Sequence, residues 1–206
     1  MQTENPPGKA PASFTDRMRA RFKGVLDAVG GFFNRLGVSP DAMTLLGLLG
    51  SMLGAVLLAL GNIPAGGWII LLSGAADAVD GTMARLRGKT TRFGAFLDST
   101  TDRFEELFVF GALALYFATG SNPAGVAAAF AAAIGSVMVS YEKARAEALG
   151  YECKVGLLTR MERYLVLCPL LILNLPLWAA VAVAVLGNFT ALQRILHVHR
   201  LSQRDA

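Results

Sequence analysis

Hydrophobic residues in this chain come in long unbroken runs, and the charged residues are swept to the run boundaries. Three windows, residues 42–76, 107–141 and 164–193, contain no charged side chain at all. Each exceeds the roughly 20 residues that one membrane-crossing helix needs, and with its charged flanks approaches the roughly 40 needed by two. Each also has a breaker near its middle: Gly61-Asn62-Ile63-Pro64-Ala65-Gly66, Gly120-Ser121-Asn122-Pro123 and Asn174-Leu175-Pro176. The pattern therefore predicts three helical hairpins, with spans at 42–61, 67–87, 94–118, 123–148, 158–175 and 177–197. An even number of crossings leaves both termini on one side.

A different pattern precedes the first span. Phe14, Met18, Phe22, Val25, Val29, Phe32 and Leu36 recur at steps of three or four, with Arg17, Arg19, Arg21 and Lys23 between them. This describes a basic amphipathic helix lying in the headgroup plane, drawn to anionic lipid. The interleaved phenylalanines and adjoining spans argue against nucleic-acid binding. Residues 1–12 carry Pro and Gly and read as disordered, and Glu4 and Lys9 interrupt any signal-sequence core. The expected organisation is a disordered 1–12, an interfacial helix at 13–37, a six-helix domain at 38–198 and a tail at 199–206.

Composition agrees with the pattern. Hydrophobic residues make up 54% and charged residues 17%, with mean hydropathy +0.49, whereas soluble domains are about a quarter charged. The fold class is thus an all-α integral membrane protein: six transmembrane helices preceded by an N-terminal amphipathic interfacial helix. Every Lys and Arg falls on the side of the termini and the three opposite turns carry none. That makes the charged side cytoplasmic and the location the inner (plasma) membrane, crossed several times. The net charge of +4 adds little. Cys153 and Cys168 lack neighbours at metal-site or disulfide-scaffold spacing and read as free thiols.

Within this apolar chain, four aspartates fall in the 26 residues 77–102, as Asp77-x2-Asp80-Gly81-x2-Ala84-Arg85-x8-Gly94-x3-Asp98-x3-Asp102. The first pair is spaced i,i+3 and the second i,i+4, so each pair shares a helix face. If 88–93 reverse the chain, all four carboxylates face one pocket. An aspartate at a helix centre in lipid costs roughly 2.5 to 3.5 kcal/mol, so the group requires counter-charge. The donors are all carboxylate oxygen, which selects Mg²⁺ or Mn²⁺ and not zinc. Around them the topology gathers Arg85, Lys143, Arg145, Arg160, Arg163 and Arg194, which spacing alone leaves open as a cationic bowl or as charges snorkelling at a membrane boundary.

The eight fixed identities of the aspartate stretch resemble the signature of the CDP-alcohol phosphatidyltransferases, with every position present, and the resemblance extends over about 38–198. It implies that Asp77, Asp80, Asp98 and Asp102 bind metal, two ions in all, with Asp102 also the general base. It further implies that the CDP-linked donor is held at Pro40, Thr44, Asp77, Gly81, Ala84 and Arg85. The small Gly81 and Ala84 would admit a flat cytosine ring; on spacing alone they serve helix packing equally well. Asp41 departs from the pattern, standing where relatives commonly carry Asn.

The stretch SYEKARAE, followed by MER and a late LQR, is similar to the subgroup that makes phosphatidylinositol phosphate. The similarity implies that Ser140, Lys143, Arg145, Arg163 and Arg194 hold the acceptor's phosphate. Arg160 receives no assignment. The expected enzyme transfers a phosphatidyl group from CDP-diacylglycerol to a phosphorylated alcohol, foremost inositol phosphate, releasing CMP at the cytoplasmic face as part of phospholipid biosynthesis. Its expected partners are these substrates, membrane lipid and a second copy in a homodimer, with no nucleic acid. The alternative acceptor is glycerol 3-phosphate, as in a phosphatidylglycerol phosphate synthase. An ion or proton transporter is the remote alternative, opposed by aspartates near span ends and by the lack of an inverted repeat.

Overall fold

The computed structural model describes residues 14–88 and 90–203, with side-chain surroundings from residue 21 onward. Among these residues all regular structure is helical: α1 (Phe14–Arg35), α2 (Pro40–Ala59), α3 (Ile63–Leu86), α4 (Arg92–Thr119), α5 (Pro123–Ala148), α6 (Arg160–Ile172) and α7 (Pro176–Ser202). The stretch 1–12, expected to be disordered, lies outside the described residues.

Local chemistry explains the boundaries. Ser39, Thr91 and Asn122 cap α2, α4 and α5 by accepting from the backbone N–H three residues on, at 3.1, 2.9 and 2.9 Å. Pro40, Pro64, Pro123 and Pro176 fill first-turn positions, where a missing N–H costs nothing. After α2, α4 and α6 the chain reverses through one device used three times. Gly61, Ser121 and Asn174 adopt positive φ (86°, 53° and 58°). The residue after each donates back five positions: Asn62 to Leu57, Asn122 to Phe117 and Leu175 to Leu170, at 2.9, 2.8 and 2.8 Å. These are Schellman turns, which satisfy the last carbonyls of each helix within the backbone.

The turns produce the hairpins α2–α3, α4–α5 and α6–α7, and contacts of α2 with α4, α5 with α7 and α3 with α6 join them. The six helices thus form a closed ring in the order α2, α3, α6, α7, α5, α4. Its core includes Leu58, Ile70, Phe110, Leu113, Phe117, Leu171 and Val183. The α5–α7 contact is close because Gly135 and Gly187 meet there: a Cβ on Gly135 would lie 2.9 Å from the Asn188 backbone nitrogen. The outer surface is apolar, exposing Leu49, Leu53, Leu72, Phe130, Trp178 and Val185 among others, as lipid contact requires and water would not favour.

Three helices, α2, α5 and α7, are long and apolar enough to cross a membrane by length and composition. The others differ because the charged chemistry occupies them: α3 carries Asp77, Asp80 and Arg85, and α4 carries Arg92, Asp98, Asp102, Arg103, Glu105 and Glu106. Helix α6 has 13 residues, shorter than the expected 158–175, because residues 151–159 are irregular and the Asn174 turn closes its other end. Helix α1 packs on α3 through Leu26, Val29 and Phe33, and Asn34 donates to the Met83 carbonyl at 3.2 Å. Another stripe, Phe22, Val25, Phe32 and Leu36, is exposed. Cys153 and Cys168 are both free and buried.

Candidate active site

The aspartates stand at the end of the ring opposite the Schellman turns, where α3 runs into α4 through Gly88, whose φ is 62°. Asp77 and Asp80 belong to the last turns of α3, Asp98 and Asp102 to the first turns of α4. Between these helices passes α2. Its Gly47 is needed there, since a Cβ would lie 2.7 Å from Asp77 Oδ1. Helix α2 also supplies Thr44, whose hydroxyl lies 2.5 Å from Asp80 Oδ2, and Asp41, whose Oδ1 lies 3.2 Å from the Cβ position of Gly94.

Across the ring from α2 and α4, α6 contributes Arg160. Its Nη2 lies 2.6 Å from Asp77 Oδ2 and from Glu105 Oε2, and its Nη1 lies 2.6 Å from Asp102 Oδ1. The other Asp102 oxygen, Oδ2, is 3.0 Å from Arg103 Nη1. Tyr164, one turn further along α6, donates its hydroxyl to Glu105 Oε2 at 3.2 Å. Its ring lies under the Arg160 guanidinium, 5.3 Å from ring centre to Cζ. A bare α3 backbone at Gly74 leaves room for that ring.

Asp77, Asp102 and Glu105 each place one oxygen within 4.8 Å of the others. The donor set is all oxygen, as a hard divalent cation prefers, and Glu105 Oε1 is buried without a hydrogen-bond donor. The residues present fit such a cation. The structure groups the expected metal residues differently from their sequence order. Asp80 is engaged by Thr44 outside this trio, and Asp98 is half-buried within electrostatic range of Asp77, Asp80 and Asp102. Glu105 was not among the residues expected from sequence. It follows Asp102 by three positions, one helical turn, and that spacing alone could have found it.

Of the expected donor-binding residues, Thr44 is buried beside Asp80, Pro40 is the first residue of α2, and Arg85 is exposed with its Nη2 2.8 Å from the Thr82 hydroxyl. A Cβ on Gly81 would meet Arg85 Nη1 at 3.4 Å and otherwise open space, so among the described residues no other helix meets that face. Ala84 is half-buried one turn on.

The residues expected to hold the acceptor divide into two kinds. Lys143 and Arg145 are exposed, Lys143 lying 3.8 Å from Glu147, and Ser140 is half-buried. Arg163 and Arg194, 2% and 4% exposed, already have partners. Arg163 pairs with Glu106 and donates to the Leu158 carbonyl at 3.2 Å. Arg194 donates to the carbonyls of Val139 and, at 3.0 Å, Val155, tying the 149–159 segment to α5 and α7.

Residues 37–195 match the model of the CDP-alcohol phosphatidyltransferase family. The chain belongs to this family. It is therefore an enzyme, a transferase. A phosphatidylinositol phosphate synthase of Cutibacterium acnes is 35% identical over 201 residues, covering 90% of this chain and 97% of its own. An archaetidylinositol phosphate synthase of Methanothermobacter thermautotrophicus is 33% identical over 171 residues, covering 80% and 85%. Among solved structures, Mycobacterium tuberculosis phosphatidylinositol phosphate synthase with CDP-DAG bound is similar at TM-score 0.75 and 32% identity, over 84% of this chain and 93% of that one. The same enzyme in complex with manganese and citrate gives TM-score 0.78, also at 32% identity, over 84% and 88%.

Proposed function

We propose that this family member transfers the phosphatidyl group of CDP-diacylglycerol to a hydroxyl of inositol phosphate, releasing CMP and leaving phosphatidylinositol phosphate in the membrane. The observation that carries this reading is the convergence of Asp77, Asp102 and Glu105 at one end of an apolar helix ring. The similarity to the synthases above supports the choice of acceptor.

The acceptor oxygen attacks the phosphorus that bears the diacylglycerol, the bond from that phosphorus to the CMP oxygen breaks, and the acceptor's proton passes to an Asp102 carboxylate oxygen. Asp77, Asp80, Asp98 and Asp102, joined by Glu105, would hold magnesium or manganese, in two sites by family resemblance. When bound, the cations neutralise the donor's pyrophosphate and stabilise departing CMP. Pro40, Thr44, Gly81, Ala84 and Arg85 line the donor's nucleotide side, where the open face of Gly81 leaves space for a base. Ser140, Lys143, Arg145, Arg163 and Arg194 orient the acceptor's phosphate; several fixed cations discriminate a dianion from neutral inositol.

In this reading all six ring helices cross the inner membrane, α1 lies in the interface through its exposed stripe, and the charged end faces the cytoplasm. The organisation is the interfacial helix, the six-helix catalytic domain and a short tail, with a second copy docking on a membrane face such as residues 127–133. The test offers the purified chain Mg²⁺ and CDP-diacylglycerol with inositol phosphate, glycerol 3-phosphate, serine or inositol in turn and measures CMP release. Inositol phosphate should be the preferred acceptor and chelator should abolish release. A preference for glycerol 3-phosphate would replace the acceptor, and indifference to chelator would remove the metal.

A further inference from the structure

Arg160 is absent from every role given so far, yet it occupies the centre of the site. Its guanidinium bridges Asp77 of α3 to Asp102 and Glu105 of α4, the three carboxylates whose oxygens converge within 4.8 Å. A monovalent organic cation thus fills the place that this donor set would offer to a divalent inorganic one.

Two features show that the guanidinium is held but not locked. Arg160 Nε has no partner, and neither has Glu105 Oε1, in a side chain only 1% exposed. Charge is offset while hydrogen-bonding capacity on both sides is unfilled. A buried carboxylate oxygen without a donor is costly, and it marks a position where more positive charge would stabilise the site. Arg160 is also the first residue of α6, following the irregular 151–159 segment in which Gly156 has φ 130°. Its side chain is 24% exposed, so it has a way out. Departure has a chemical consequence at Asp102, whose oxygens are paired with Arg160 on one side and Arg103 on the other. A carboxylate engaged at both oxygens is a poor proton acceptor.

We propose that Arg160 is the displaceable counter-ion of the metal site and that Glu105 is one of that site's carboxylates. Arg160 must leave Asp77, Asp102 and Glu105 before a divalent cation is bound among them, and while it stays Asp102 is paired with an arginine at both oxygens. The chain is then self-inhibited until metal arrives, which prevents it from acting on the donor with an incomplete site. The inference rests on the metal reading of the previous subsection.

The experiment measures Mn²⁺ binding to the full chain in lipid nanodiscs without substrate, by the electron paramagnetic resonance signal of free Mn²⁺. Removing a competing positive charge from this short range should tighten Mn²⁺ binding by about tenfold or more in Arg160→Gln. Arg160→Lys, which keeps the charge but not the fork, should fall between this variant and the wild type, and it carries the test if Arg160→Gln does not fold. An arginine that merely tied the helices together would give the opposite sign, because its loss would scatter the carboxylates. Equal or weaker binding in the folded variants therefore overturns the counter-ion role. Adding Glu105→Gln to Arg160→Gln should weaken Mn²⁺ binding again; unchanged affinity removes Glu105 from the site. Wild-type protein that binds no Mn²⁺ would overturn this inference together with the metal reading, whereas wild-type binding without tightening overturns the inference alone.

Discussion

The two ends of the helix ring are made from the same six helices by opposite means. At one end the chain turns three times with no charged residue, and each turn returns backbone donors to its own helix through a positive-φ residue and a bond back five positions. At the other end the connections are irregular, and buried charges depend on partners from distant helices, Arg160 with Asp77, Asp102 and Glu105, and Arg163 with Glu106. The difference separates two kinds of satisfaction. A backbone turn is complete and can do nothing further, whereas an ion pair can exchange one partner for another. Chemistry belongs at the end where the partners are exchangeable.

The contrast can be broken first at Asp102. Asp102→Asn should lower CMP release by about 10²–10⁴-fold, as loss of a general base does, while binding of CDP-diacylglycerol, followed by calorimetry, changes little. Retained turnover would remove Asp102 as the base. The buried pair beside it tests stability as well as acceptor binding: Arg163→Met leaves Glu106 uncompensated where both side chains are 3% exposed. A loss of about 3–5 kcal/mol is expected, read from thermal unfolding in detergent. The smallest effect lies at the uncharged end. Ser121 holds φ 53° in an exposed turn, and Ser121→Gly should gain about 0.5–1 kcal/mol, the left-handed cost relieved less the added chain entropy. Its CMP release should equal that of the wild type, because that end carries no chemistry.

The helices were legible from sequence because their signals are local. The expected 42–61, 94–118 and 123–148 became Pro40–Ala59, Arg92–Thr119 and Pro123–Ala148, set by charge-free runs, caps and prolines within a few residues of each end. The motif likewise announced its own helix faces by spacing. Arg160 was visible as a charge at a helix start but not as the hub of the site, since its partners Asp77 and Glu105 lie 83 and 55 residues away. Only closure of the ring through α3–α6 brings them together. The inward engagement of Arg194 by the Val139 and Val155 carbonyls was hidden for the same reason, because a backbone carbonyl leaves no mark in the sequence. The shortness of α6 escaped the hydropathy pattern, which cannot separate an apolar helix from apolar residues that leave it.

The three uncharged turns also bear on how such a protein reaches its membrane. A reversal that carries no ion and returns backbone donors to its own helix costs less to draw through lipid than a charged one, so in the proposed orientation each hairpin can enter as a pair of helices. Arg160 belongs to the third hairpin and its carboxylates to the first two, so in that reading the reactive centre is complete only once α6 has docked on α3 and α4.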